Sequence, residues 1–190
     1  MNVDALLTSF IAAALAELGD RTQLFVVVLA MRFGRPAPIL AGLALAALAN
    51  SLIAAVGGVL IGGMIDTRAL SLLVALALLF AAGGSFIRRS EPRMGEGWRT
   101  GAFVTAALCL FLVEFGDKTQ FLTFALAGRF DSVALAAAGA TAGIVAANIP
   151  AVLLGDRLAQ TVPVRALRYA IGGLFLIVGF IVAVQALELV

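Results

Sequence analysis

Two stretches of seven residues concentrate the chemistry of this chain: Glu17-Leu18-Gly19-Asp20-Arg21-Thr22-Gln23 and Glu114-Phe115-Gly116-Asp117-Lys118-Thr119-Gln120. Each supplies two carboxylates, one cation, one hydroxyl and one amide. Carboxylate, amide and hydroxyl oxygens are hard donors that suit calcium, magnesium or manganese and give zinc or copper little to hold. Glu17, Asp20, Glu114 and Asp117 are therefore the candidate metal ligands. Thr22, Thr119, Gln23, Gln120, Asn50 and Asn148 are candidate auxiliary oxygens, and Arg21 and Lys118 balance charge. Four acids against two fixed cations leave a formal −2. One divalent cation or two protons would neutralise it, so exchange of one for the other is the simplest charge-conserving cycle.

At about 100° per residue, Glu17, Asp20 and Arg21 are expected to share one face of a helix, and Glu114, Asp117 and Lys118 the same face of another. Gly19 and Gly116 are the candidate hinges, permitting either a local unwinding that bares carbonyl oxygens or a close helix approach. Soft ligands are not expected nearby: Met31 and Met64 fall at helix ends, and Cys109 lies about 140° round the helix from Glu114.

The composition says what kind of element must carry these residues. Of 190 residues, 63% are apolar, a further 20 are Gly and only 13% are charged, with a mean hydropathy of +1.11. A globule of this size has too little interior to hide so much apolar surface, so the surplus must face lipid. That excludes a soluble enzyme. With no His and a single Cys, the chain has no internal disulfide, none of the usual zinc or haem ligation and no Ser-His-Asp triad. No resident cofactor is expected. The basic residues sit at segment ends rather than in a patch, which leaves nucleic-acid binding without a basis. The first apolar stretch lacks a basic leader and reads as a retained span.

Uncharged runs at 36–65, 69–87, 132–155 and 169–187 each hold at least 19 residues, enough for a spanning helix of about 20. Two more spans follow from 5–31 and 100–128, where uncharged flanks surround the two charged motifs; a broken or re-entrant form is open to both. The chain thus reads as an all-α, polytopic membrane protein of six transmembrane helices. Gly57-Gly58 and Gly62-Gly63 suggest close packing or a frayed helix end, while Pro150, Gly83-Gly84 and Gly172-Gly173 read as kinks and packing.

Orientation follows from the loop cations. Arg32, Arg35, Arg88, Arg89, Arg93, Arg99, Arg157, Arg165 and Arg168 fall on one side, and only Arg68 and Arg129 on the other. The nine mark the cytoplasm, which places the loop 88–99, with its Pro92 and Gly95, inside and both termini outside.

Sliding the sequence on itself by 97 aligns 15–33 with 112–130 without a gap, ten of nineteen residues identical. Asn50 meets Asn148 at an offset of 98, and Arg68-Ala69-Leu70 meets Arg165-Ala166-Leu167 at 97 again. The expected organisation is a first three-helix repeat over 1–87, a cytoplasmic linker over 88–99 and a second repeat over 100–190. Three is odd, so the second repeat must enter the membrane from the opposite side: inverted-topology repeats, with a site where they meet near the midplane.

Blander readings compete with a transport site. Glu17/Arg21 and Glu114/Lys118 are i,i+4 pairs that could neutralise each other and glue a non-transporting bundle, although each motif carries one acid more than that needs. Intramembrane ionisable residues are functional by default. Asn50 and Asn148 are better read as hydrogen-bonding a neighbouring helix, and Thr22 and Thr119 as bonding the carbonyl one turn back. An anion or small-solute exporter would lean on Arg21 and Lys118 instead. An intramembrane aspartyl dyad of Asp20 and Asp117 is disfavoured, because each is followed at once by a cation that holds it ionised, and a dyad must share a proton.

The paired E-x-G-D-[KR]-[TS] motif, one copy per half of a small all-helical membrane protein, resembles the GDT-type cation/proton exchanger family of Golgi manganese/calcium transporters and bacterial manganese exporters. The resemblance implies export of Mn2+, or Ca2+ in some members, against proton entry. It implies Glu17, Asp20, Glu114 and Asp117 as the cation-binding acids. The metal would be substrate, not cofactor, and the protein no enzyme. Partners are the metal cation, protons and the bilayer; nothing in the sequence speaks to oligomeric state. The chain lacks the extra N-terminal segment and long acidic central loop of eukaryotic members, and it uses twelve Arg to one Lys. Both features point to the compact bacterial form and to an inner membrane. Alternating access is the expected mechanism, with helices 1 and 4 crossing at the midplane and the same carboxylates taking up protons once the metal leaves. Glu17 and Glu114 are the expected proton carriers, because Asp20 and Asp117 each have an adjacent cation.

Overall fold

The computed structural model describes residues 2–87, 97–155 and 163–188, and these are helical with no strand among them. Eight helices follow one another in the described residues: α1 Asn2–Glu17, α2 Arg21–Phe33, α3 Pro36–Gly62, α4 Thr67–Phe86, α5 Ala102–Glu114, α6 Lys118–Phe130, α7 Val133–Leu154 and α8 Val164–Ala186. Of the basic loop residues, Arg88, Arg89, Arg93 and Arg157 lie outside the described residues, as do Pro92 and Gly95 of the linker.

Four helices, α3, α4, α7 and α8, are long and apolar enough to cross a membrane, with 20 to 27 residues and mean hydropathies of 1.7 to 2.2. The other four form two consecutive pairs, α1/α2 and α5/α6. Their 13 to 16 residues cover only about 20–24 Å at 1.5 Å per residue, short of a hydrocarbon core of about 30 Å. The expectation of one unbroken helix face carrying Glu17, Asp20 and Arg21 is therefore corrected. Glu17 ends α1 and Arg21 begins α2, and Glu114 and Lys118 stand in the same places in α5 and α6.

The cause is local and the same in both halves. Gly19 and Gly116 adopt φ of 75° and 77°, a left-handed conformation that glycine enters without steric cost and that ends a helix. Asp20 and Asp117 follow in extended conformation at the N-cap positions of α2 and α6, where aspartate is among the favoured residues. A Gly-Asp dipeptide thus stops one helix and starts the next.

Small residues set the packing. A Cβ added to Gly58 would lie 2.0 Å from the carbonyl oxygen of Phe124, and one on Gly128 2.6 Å from that of Gly58, so α3 and α6 touch backbone to backbone. Gly139 and Gly143 of α7 lie equally close to Leu6 and Phe10 of α1, and Gly42 of α3 to Phe103 of α5. Gly42 and Gly139, like Leu6 and Phe103, are 97 residues apart. The long helix of each half therefore packs on the first half-helix of the other. α4 and α8 pair with each other, with Gly172 against Ser85 and Phe86 and Gly179 against Leu78 and Leu79; α4 also packs on α6.

Polarity is arranged inside out. Leu60, Leu76, Leu153 and Phe180 are each more than half exposed, whereas Glu17, Asp20, Thr22, Lys118, Thr119 and Asn148 are buried. Apolar side chains facing outward around a polar interior are what a bilayer solvent selects.

Candidate cation site

At each helix break, the backbone N–H of the glycine is held by the glutamine four residues on. Gly19 N–H donates to Gln23 Oε1 at 3.0 Å, and Gly116 N–H to Gln120 Oε1 at 2.6 Å. The glutamine amide nitrogens then reach the long helix of the opposite half: Gln23 Nε2 donates to Ala147 O at 3.0 Å, and Gln120 Nε2 to Asn50 O at 3.3 Å. Gln23 and Gln120 thus brace the unwound segments, satisfying donors that the break leaves bare.

The charged residues pair across the halves. Lys118 Nζ lies 2.6 Å from Asp20 Oδ2, and Arg21 Nη2 lies 3.3 Å from Asp117 Oδ1. Arg21 also donates to the carbonyl of Val113 at 2.7 Å. The i,i+4 pairings within each motif, Glu17 with Arg21 and Glu114 with Lys118, are not the ones that form. The reason is the break: once α1 and α2 separate at Gly19, positions 17 and 21 no longer stack one turn apart.

The threonines repeat this exchange. Thr119 Oγ1 donates to Glu17 Oε1 at 2.7 Å, and Thr22 Oγ1 donates to Glu114 Oε1. The expectation that they bond the carbonyl one turn back is corrected, because each sits in the first turn of a half-helix facing the other half. Asn148 Nδ2 reaches Glu17 Oε2 at 3.4 Å and its own helix at Ile144 O at 2.9 Å. Asn50 Nδ2 donates to Phe111 O of α5 at 3.1 Å, the interhelical bond expected of it.

Every sequence-selected residue therefore lies at or beside one of the two breaks, and each contact from the first motif to the second has its counterpart in return. Among the described residues, no group of three or more acids or cysteines is gathered closely enough to hold a metal ion; each carboxylate is engaged by a hydroxyl or a cation of the other half instead. Asp20 and Asp117 are paired with separate cations, Lys118 and Arg21. Cys109 is buried in α5, and Met31 and Met64 are exposed at helix ends.

The two breaks differ in what covers them. Gly19 is buried, with Val164 and Arg168 of α8 packed on it. Gly116 is exposed and, with Asp117 and Gln120, lines a crevice of about 730 Å3 whose walls include Ile53 and Gly57 of α3, Phe80 of α4 and Phe124 of α6. Sequence reasoning missed Val164 and Arg168. Arg168 entered it only as a loop cation, and its counterpart at an offset of 97, Ser71, offers no matching charge.

Residues 5–93 and 102–189 match the family described as Divalent cation/proton antiporter GDT1. A candidate manganese exporter of Vibrio cholerae is 34% identical over 182 residues, covering 95% of this chain and 91% of that protein. The GDT1-like protein 3 of Arabidopsis thaliana is 30% identical over 209 residues, covering 95% of this chain and 70% of its own, and that of Oryza sativa subsp. japonica is 29% identical over 201 residues, covering 91% and 71%. No solved structure matches the chain.

Proposed function

This chain belongs to the Divalent cation/proton antiporter GDT1 family, a family of transporters rather than enzymes, and from that premise we propose that it exchanges cytoplasmic Mn2+, with Ca2+ the next candidate, for external protons. The metal is the transported substrate. The observation that carries the reading is the reciprocal engagement of the two motifs: Thr119 on Glu17 and Thr22 on Glu114, Lys118 on Asp20 and Arg21 on Asp117. Buried charge of this density, with more acid than base, is costly in a membrane and is retained where an ion must be bound.

In this reading α1/α2 and α5/α6 are each one interrupted span, which with α3, α4, α7 and α8 gives six spans in two inverted repeats, 1–87 and 100–190, joined by the linker 88–99 in the cytoplasm. Both termini lie outside a bacterial inner membrane. Interrupted helices whose ends meet inside the bilayer are a recurrent way to build ion sites in secondary transporters. Glu17, Asp20, Glu114 and Asp117 take the metal. The hydroxyls of Thr22 and Thr119 and the amide of Asn148 hold Glu114 and Glu17 when the metal is absent, Asn50 braces Gln120 beside them, and Gly19 and Gly116 supply the hinges. Metal entry exchanges hydroxyl and ammonium contacts for metal–oxygen ones, and protons compensate the carboxylates when it leaves.

The test is flux into proteoliposomes under an imposed pH gradient, with Mn2+, Ca2+ and Mg2+ in parallel and Glu114→Gln beside the unaltered protein. Saturable, gradient-dependent Mn2+ flux that Glu114→Gln abolishes is expected. Flux indifferent to Glu114, or none for any of the three metals, overturns the reading.

A further inference from the structure

The two helix breaks share a sequence motif and a backbone conformation, yet one is shut and the other open. A Cβ on Gly19 would lie 3.0 Å from Val164 Cγ1 and 3.2 Å from both the Val164 carbonyl oxygen and Arg168 Cβ, whereas no atom of the described residues lies within 4 Å of the same position on Gly116. Val164 and Arg168 belong to the first turns of α8. Their counterparts at an offset of 97 are Thr67 and Ser71, in the first turns of α4, and these leave Gly116 uncovered. Resting on the exchanger reading, we infer that the N-terminal turns of α8 and α4 are the two gates of the transport site, with the α8 gate closed on Gly19 in this structure and the α4 gate withdrawn from Gly116.

The elements around these turns are built for such a stroke. α4 and α8 are bound chiefly to each other, through Gly172, Gly179 and the stacked rings of Phe86 and Tyr169, so they can shift as one body against the motif-bearing helices. Exchanging the roles of the halves moves the Thr67–Ser71 turn over Gly116, narrows the crevice between α3, α4 and α6, and lifts Val164 and Arg168 from Gly19. The closed gate is also held imperfectly. Among the described residues Arg168 Nε is buried without a hydrogen-bond partner, although its guanidinium lies over the Tyr169 ring at 5.4 Å. A buried donor left unsatisfied disfavours the state that buries it, as suits a contact that must open in every cycle. The α8 turn carries two cations, Arg165 and Arg168, where the α4 turn carries Arg68 alone, so metal leaving past α8 meets the larger repulsion.

The experiment uses single cysteines, Val164→Cys and Ser71→Cys, each in the full chain with Cys109→Ser, reconstituted in liposomes and titrated with a small water-soluble methanethiosulfonate. Both carriers are first assayed for Mn2+ flux. With flux present, Mn2+ is expected to change the two modification rates in opposite directions, each by about tenfold, because a ligand that favours one of two states shifts both gates at once. Rates that ignore Mn2+, or that rise together, overturn the gate assignment while leaving the exchanger intact. Absence of Mn2+ flux in the unaltered protein as well overturns the exchanger reading itself, and the gates with it.

Discussion

Lys118 Nζ lies 2.6 Å from Asp20 Oδ2, with both side chains buried, so the cation of the second half neutralises an acid of the first. The converse pair, Arg21 with Asp117, is longer at 3.3 Å, and its arginine is 31% exposed. The halves are thus locked by reciprocal but unequal ion pairs, and the better-sheltered one uses a point-charge ammonium where the other uses a planar guanidinium that also holds the Val113 carbonyl.

Removing either partner of the sheltered pair strands a buried charge. Lys118→Gln is expected to lower stability by about 3–5 kcal/mol, and Arg21→Gln by clearly less, because the Arg21–Asp117 pair is longer and its arginine already meets water. Thermal unfolding in detergent, followed by tryptophan fluorescence or a thiol probe, checks the order. Equal losses would show that the two pairs are energetically equivalent.

Thr119→Val removes the hydroxyl that donates to Glu17 while keeping the side-chain shape. In the proposed cycle the metal displaces this bond, and a hydrogen bond to a charged group contributes about 1.5–3 kcal/mol, so the Mn2+ concentration for half-maximal flux should fall by about tenfold or more, and Thr119→Ser should restore most of the original value. Thr22→Val should act in the same way through Glu114. If serine fails to rescue, the methyl group and not the hydroxyl is what the site requires.

Gly58→Ala forces a Cβ onto the Phe124 carbonyl, and Gly139→Ala one onto that of Leu6, whereas no atom of the described residues would lie within 4 Å of a Cβ on Gly83. The first two are expected to cost at least about 1–3 kcal/mol by overpacking. Gly83→Ala should be neutral or slightly stabilising, since alanine is the better helix former. Melting temperatures of the three variants decide it.

The formal charge of −2 over the two motifs predicts electroneutral exchange, one Mn2+ against two H+. Flux should then be unchanged by a potassium diffusion potential set with valinomycin, and it should fall as the metal-donating side is acidified, because protons compete for the same carboxylates. Flux that follows the membrane potential would show a different stoichiometry.

Much of this architecture is readable from local sequence because its causes are local. Gly19-Asp20 and Gly116-Asp117 end and restart helices through backbone conformation and N-capping, which depend on a few neighbouring residues. Glycine permits both unwinding and close approach, and the positive φ at each of the two marks the unwinding. The i,i+4 spacing of Glu17 and Arg21 misleads for the same reason: the rule holds only on a continuous helix. Asn50 bonds a neighbouring helix as its isolation in an apolar run suggests, but Thr22 and Thr119 bond acids that lie 92 and 102 residues away, which no window of sequence contains.

The sequence by itself determined the apolar, membrane-type composition, the duplication and which polar residues stand out against it. These follow from the free energy of apolar surface and of charge in lipid, which composition and periodicity record directly. Only the tertiary structure decided that each motif is completed by the other, and that α8 covers Gly19 while α4 leaves Gly116 open. Two halves with the same motif have the same local preferences. Which partner a side chain meets, and which of two equivalent breaks is covered, depends on how the helices dock, and the docking free energy is a sum over the whole interface that no single residue type encodes.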